Sequence, residues 1–409
     1  MVSKPVESPE GGPIVHGVAD ARYERVVTAF SRLFGQNRGG GALAVYRHGE
    51  PLLDIWTGTA DNTGETPWTE NTAALSYSTS KGITSTVIHL LAARGLIDYQ
   101  APVAEYWPEF GANGKKSITV AEMMSHRAGL SRVGPLAKNL EEMLDHHLME
   151  ERLAAAKPDR FRGLPAYHAI SFGWLAAGLA RAVTGKGMGE LYHTELAEPL
   201  GVDGLHLGTP PPTSPTTVAG SHGSPVPFGI PRAEDVLRAA SLGPVPGLGF
   251  VRAIYTPGVG NLSSGEAPAI LRGEMPGANG VFTARGIAAV YSLLAGENPR
   301  ISRGRVRALS RIQTILPDRN LFLPMGWRLG YHSLPVLGAP RAFGHIGFVG
   351  SAGWADPESG LSVGFVHNWL PEAARLPRDQ FIIARLLTPI VKSAASEADA
   401  GPADLRKAG

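Results

Sequence analysis

The apolar positions along the chain change period three times. From Ala19 to Phe34 they recur at helical spacing, with Val26, Val27, Phe30, Leu33 and Phe34 sharing a face, and Gly35 with the Gly39–Gly41 run closes the pattern. The spacing predicts a first helix. Two short apolar runs, Ala42–Arg47 and Leu52–Thr59, then flank His48-Gly49-Glu50-Pro51, which reads as a hairpin. Residues 78–95 return to the helical period with little polar content on most faces, so this helix is expected to be central and buried, stopped by Gly95. From about Pro102 to Leu200 the pattern stays helical, with candidates at Val120–Ser125, Leu140–Lys157 and Ile170–Thr184 and no competing strand. From about Leu329 short apolar runs at Arg328–Tyr331, Ala342–His345, Ala352–Ala355 and Ser362–His367 predict an antiparallel meander, and Phe381–Val391 closes as a helix.

This order predicts an α/β (α+β) chain whose antiparallel sheet draws strands from both ends, flanked by helices, with an all-helical lobe inserted between. The expected division is an α/β unit at 16–105 and 285–395 and a helical insertion at 106–284, with a disordered lead-in at 1–15 and a flexible tail at 396–409. The Pro- and Gly-rich stretches Thr209–Pro231 and Gly243–Gly260 read as surface loops, with a role as a roof over a cleft.

Composition narrows the chemistry. The 409 residues hold 38 basic and 36 acidic side chains without long blocks of one sign, so neither a phosphate backbone nor an anionic lipid surface is expected as partner. The N-terminus has no apolar run suited to export, and no stretch reaches the ~20 apolar residues that span a bilayer. A cytoplasmic enzyme is the expectation. With no cysteine, disulfides, thiolate nucleophiles and Cys-ligated zinc drop out, and a nucleophile must be oxygen or amine.

Ser78-Thr79-Ser80-Lys81 is the one S-x-x-K in the chain. It opens the apolar helix, where residues three apart share a face, so a hydroxyl and an amine meet there. The helix N-terminus disfavours a cation and favours an oxyanion, which suits Lys81 as a base and the Ser78 N–H as an oxyanion donor. Taken alone, the motif is better read as a capping serine and a solvated first-turn lysine. Tyr167 precedes the Ile170–Thr184 helix, and a phenol flanked by cations in a dry cleft is driven toward phenolate. His345-Ile346-Gly347 ends a strand: His345 offers a donor or a cation, Gly347 allows close approach of substrate, and the Phe348 N–H is a second oxyanion donor. No cofactor or metal is expected, since adjacent His146 and His147 point to different faces and lack a carboxylate-rich ligand set.

In the order Ser-x-x-Lys, Tyr, His-x-Gly, the sequence resembles the serine β-lactamase and penicillin-recognising superfamily over nearly the whole chain. Met124-Ser125-His126-Arg127-Ala128-Gly129-Leu130 and Pro276–Arg285 add to the likeness, the latter on its esterase side. It looks most like the class C β-lactamase-like carboxylesterases called family VIII. The resemblance implies a β-lactamase/transpeptidase-like fold, Ser78 as acylated nucleophile, Lys81 and Tyr167 as its base pair, and His345 on the opposite wall. Two departures weaken recognition of a β-lactam: Ala169 stands for the Asn of Y-x-N, and His345 for the Lys of K-T-G. The expected substrate is a short- to medium-chain ester. Alternatives on the same site are a penicillin-binding protein, a D-aminopeptidase, a weak β-lactamase or an acyltransferase; a silent scaffold on this fold would be marked by loss of Ser78, Lys81 or Tyr167, and all are present. A G-x-S-x-G elbow is absent.

Overall fold

Alternation along β2 (Gly40–Arg47) separates two cores: Leu43 and Val45 face one, Ala42 and Ala44 the other. The computed structural model describes residues 12–35, 38–223, 249–263, 265, 267–372, 375–379 and 381–399. A seven-stranded antiparallel sheet runs β1 (Val15–Ala19), β3 (Glu50–Gly58), β2, β12 (Leu361–His367), β11 (Ala352–Asp356), β10 (Phe343–Ile346) and β9 (His332–Ser333). The two chain ends meet where β2 pairs with β12, from Arg47 opposite Leu361 to Gly41 opposite His367. The expected sheet, hairpin and returning meander are therefore present.

The first core joins Val26, Val27 and Phe30 of helix α1 (Glu24–Leu33) to Leu386, Leu387 and Ile390 of the terminal helix (Ala384–Asp399) across Leu43, Val45, Val363 and Phe365. On the opposite face the strands carry small residues, and the helix Ala284–Ala295 lies close against them. Gly364 is the reason for that closeness: a Cβ there would stand 2.1 Å from the Ala284 carbonyl oxygen. Behind that helix lies α2 (Thr79–Ala93), buried along nearly its whole length as its apolar pattern predicts.

Several elements differ from expectation. Val15–Ala19 is a strand on β3 that begins at the last residue of the expected lead-in; residues 1–11 lie outside the described residues. The tail is helical through Asp399, and 400–409 lie outside the described residues. Leu140–Lys157 is two helices, Leu140–Leu144 and His146–Ala155, because Asp145 between them caps the second through the Leu148 N–H at 3.0 Å. Strands do occur in the middle of the chain: β4 (Thr72–Leu75), β5 (Leu205–Leu207), β6 (Thr217–Val218) and β8 (Gly280–Phe282) form a second sheet in the order β5-β8-β4-β6. They are too short to show a period. Arg328–Tyr331 is a turn with Gly330 at φ +81°, and the strand follows it as β9.

Candidate active site

Ser78 stands at the N-cap of α2 yet makes no capping bond; its Oγ lies 3.1 Å from Lys81 Nζ and accepts the Tyr167 hydroxyl at 2.8 Å. The reading of Ser78 as a mere cap is thereby excluded. The turn is held from both sides. Ser76 N–H donates to Gly280 O at 2.8 Å and Gly280 N–H to Ser80 Oγ at 2.8 Å, fastening it to β8. Thr79 Oγ1 donates to Ser351 O at 2.8 Å, fastening it to the β10–β11 hairpin. Tyr77, just before Ser78, has φ +45°, a left-handed conformation costing an aromatic residue about 1–3 kcal/mol. Such strain persists only where the surroundings fix the backbone.

Lys81 is fully buried and has no carboxylate partner among the described residues. Besides Ser78, its Nζ donates to Ala169 O at 2.6 Å and Gly277 O at 2.5 Å. Burial without a counter-charge pushes its pKa well below the ordinary lysine value. In the neutral amine two N–H bonds serve the carbonyls and the lone pair faces Ser78 Oγ. The Gly277 carbonyl is presented by a loop that Asn279 organises, its amide donating to Ile270 O at 2.9 Å and to Gly273 O while accepting the Met275 N–H at 2.9 Å.

Burial pushes the Tyr167 phenol up, which favours a neutral proton donor over the phenolate expected from flanking cations. Its ring stacks on Trp327, centroids 5.4 Å apart and planes at 12°, and Lys81 Nζ sits 5.0 Å from its centre. Its backbone is fixed by buried Asp318, whose Oδ1 accepts the N–H groups of Tyr167, Asn320 and Leu321 at 3.1, 2.8 and 3.0 Å. Asp318 Oδ2 accepts Trp327 Nε1–H at 2.9 Å, so one carboxylate places both stacked partners.

His345 is 2% exposed, stacked at 6.2 Å on Tyr167. Burial pushes its pKa well below the ordinary imidazole value, which favours the neutral ring over the cation expected from sequence. Its Nδ1–H donates to Ile346 O at 3.1 Å, which leaves Nε2 as a bare acceptor with no hydrogen-bond partner among the described residues. Gly347 serves the protein's own packing: a Cβ would stand 2.4 Å from Ser76 O and 3.0 Å from Thr79 Oγ1. The strand end can therefore close on the serine turn, and Phe348 follows directly, its ring 6.0 Å from Tyr77.

Two apolar cavities open from Ser78. One is lined by Ala169, Ile170, Phe250, Ile254, Leu262 and Phe348; the other by Tyr167, Phe250, Trp327, His332, His345 and Phe348. Part of the Pro- and Gly-rich region expected to roof a cleft, 249–260, lines the first; 224–248 lie outside the described residues. Sequence reasoning missed Tyr77, Phe250, Gly277 and Asp318. Only Gly277 carried a signal, lying in the Pro276–Arg285 run.

Among the described residues no group of ligating side chains is suited to a metal, and no helix is long and apolar enough to cross a membrane. His146 pairs with Glu150 at 2.7 Å.

Fold and site together define a serine hydrolase of the acyl-transferring type. The chain belongs to the beta-lactamase family, whose model matches residues 21–387. It is 50% identical over 372 residues to the esterase/beta-lactamase LipL of Mycobacterium tuberculosis, covering 89% of this chain and 85% of that protein. It is also similar to the crystal structure of a family VIII carboxylesterase (TM-score 0.75, 30% identity, 93% of this chain and 99% of that one). A penicillin-binding protein homologue from Caulobacter crescentus superposes as well, at TM-score 0.75 and 28% identity, covering 92% and 99%.

Proposed function

We propose that the protein is a serine carboxylesterase for short- to medium-chain acyl esters, working through an acyl-enzyme on Ser78. The observation that carries this is Ser78 Oγ set between the Lys81 amine at 3.1 Å and the Tyr167 hydroxyl at 2.8 Å. Ser78 Oγ attacks the ester carbonyl as its proton passes to neutral Lys81. The oxyanion lies between the N–H groups of Ser78 and Phe348. Tyr167 hands its proton to the departing alkoxide, and the Lys81 ammonium beside the ring stabilises the transient phenolate until the proton returns. Water then repeats the sequence on the acyl-enzyme, releasing the acid. Because Tyr167 protonates the leaving oxygen, the alcohol belongs in the cavity that Tyr167 lines and the acyl chain in the cavity of Ile170, Ile254 and Leu262.

The ester reading is preferred over hydrolysis of a β-lactam because, among the described residues, neither cavity is lined by Lys or Arg and His345 is neutral. A β-lactam carboxylate would find no cation there. The test is initial rates on p-nitrophenyl esters from acetate to palmitate beside a chromogenic cephalosporin, for the wild type and Ser78→Ala. Ester turnover lost in a folded Ser78→Ala protein is the expected result. Retained turnover would remove Ser78 from the chemistry, and rapid cephalosporin cleavage would reverse the substrate preference.

A further inference from the structure

Charge looks evenly spread along the whole chain, but one segment at the site's mouth departs from that average. Between residues 303 and 319 stand Arg303, Arg305, Arg307, Arg311 and Arg319, against a single acid, Asp318, which is buried. Arg303, Arg307, Arg311 and Arg319 are exposed and make no ion pair among the described residues, while Arg305 is partly buried near Tyr99. Residues 312–323, overlapping that stretch, carry five of the ten large apolar side chains exposed among the described residues: Ile312, Ile315, Leu316, Phe322 and Leu323, from 43% to 72% accessible.

The five apolar residues share one loop with Arg311 and Arg319, directly after the helix Arg303–Leu309 that carries the other arginines. Gln313 N–H donates to Trp327 O at 2.7 Å, Asp318 N–H to Leu323 O at 3.0 Å, and Phe322 N–H to Asp318 O at 2.8 Å. Phe322 sits at φ +61°, a strained conformation for a bulky residue, with its ring half in solvent. The loop also borders the cleft: Leu321 and Met325 line the alcohol-side cavity, as does Phe381, itself 43% exposed. Exposed apolar side chains and Arg311 and Arg319 on one loop, two more exposed arginines on the helix leading into it and a cavity that the loop helps line form the pattern of an interfacial binding surface.

We propose that the 312–323 loop docks on an anionic lipid surface and sets the mouth of the cleft against it, so that apolar esters pass from that surface to Ser78. The arginines select the occupant, because anionic headgroups attract them while the apolar side chains enter the acyl boundary. A nucleic acid would meet the arginines but leave four aliphatic side chains in water. Docking itself is independent of the hydrolase reading; delivery of substrate rests on it.

The test is flotation of the full-length protein with phosphatidylcholine vesicles, with and without phosphatidylglycerol, at low and high salt. The wild type is expected to float with anionic vesicles and to be released by salt. Each arginine contributes about a fivefold factor in partition, so the triple variant Arg307→Gln/Arg311→Gln/Arg319→Gln should bind roughly a hundredfold more weakly. Ile315→Ser/Leu316→Ser/Leu323→Ser should lose binding even at low salt. Both variants should hydrolyse a water-soluble short ester at the wild-type rate, which shows that they fold. Wild-type protein that stays unbound, or binding unchanged in both variants, would overturn the proposal. So would a concentration-dependent dimer, without vesicle binding, that the serine substitutions abolish: the patch would then fit a second copy of the chain. Absence of wild-type ester turnover would instead sink the hydrolase reading while leaving flotation readable.

Discussion

The ring of Phe250 lies parallel to that of Phe348, centroids 5.8 Å apart and planes at 6°, and both rings line both cavities that open from Ser78. The stacked pair is thus a partition between the proposed acyl and alcohol sides. Phe250→Ala should join the two spaces. The expected outcome is an acyl-length optimum moved to longer chains together with acceptance of bulkier alcohols, while Phe250→Leu stays near the wild type. Profiles of kcat/KM against acyl length at fixed alcohol, and against alcohol size at fixed acyl group, decide it. An active Phe250→Ala enzyme with both profiles unmoved would sink the assignment.

Lys81 has to be neutral to accept the serine proton, and burial makes it so by lowering its pKa well below 10.5. The sign follows: activity is lost as pH falls through the lowered Lys81 value and is retained above it. Burial raises the Tyr167 phenol above 10, so no alkaline limb from its ionisation is expected below about pH 10. Lys81→Arg, which stays protonated, should be inactive. Tyr167→Phe should lower kcat about 10²- to 10⁴-fold. A pH profile of kcat/KM checks both. An alkaline limb near neutrality that disappears in Tyr167→Phe would restore the phenolate base.

Asp318 is a positioning residue that touches no reacting atom. Its carboxylate joins the Tyr167 backbone to the Trp327 indole on which the phenol stacks. Asp318→Asn sets an amide donor against one of these N–H groups, at a cost of about 1–3 kcal/mol in stability. It should also lower kcat about 10- to 100-fold with KM little changed, because the phenol loses its aim. Urea unfolding and steady-state kinetics measured together decide between roles. A destabilised variant with unchanged kcat would make Asp318 structural only.

Long, strongly periodic elements were legible in the sequence: α1, the β2–β3 hairpin, α2 and the returning strands. The juxtaposition of Ser78, Lys81 and Tyr167 was legible as well, because Ser78 and Lys81 are one helical turn apart and Tyr167 and His345 fall in the order the family resemblance supplies. What sequence could not show is long-range placement. β4, β5 and β8 have three or four residues each and no period. Asp318 lies 151 positions from the Tyr167 it holds. Sequence could not show burial either: flanking cations are expected to drive Tyr167 toward phenolate and His345 is offered as a possible cation, whereas burial favours the neutral form of both. The arginines of 303–319 vanish in a whole-chain charge of +2 and stand out only once Asp318 is seen to be buried.

The protein should be sensitive to mild acid through its buried histidines. Burial lowers His168, His332 and His367 from 6.5 to about 4, and His89 to about 3. In two of them the hydrogen bonding adds to this. His168 Nε2 accepts the Leu130 N–H at 3.2 Å and His332 Nε2 the Ile346 N–H at 3.2 Å, and protonation would set two donors against each other. The unfolded chain binds these protons near pH 6.5 and the folded chain does not, so their contribution is complete above 6.5 and is lost as pH falls toward 4. A shift of this size is on the order of 3 kcal/mol per histidine, and four such sites rival the whole stability of about 5–15 kcal/mol. The expected outcome is a urea midpoint that falls steeply between about pH 6.5 and about pH 4. Replacing His332 by Asn, which offers the Ile346 N–H an uncharged acceptor, should flatten the slope. Midpoints that hold level over that range would show that the histidines become charged without unfolding the chain.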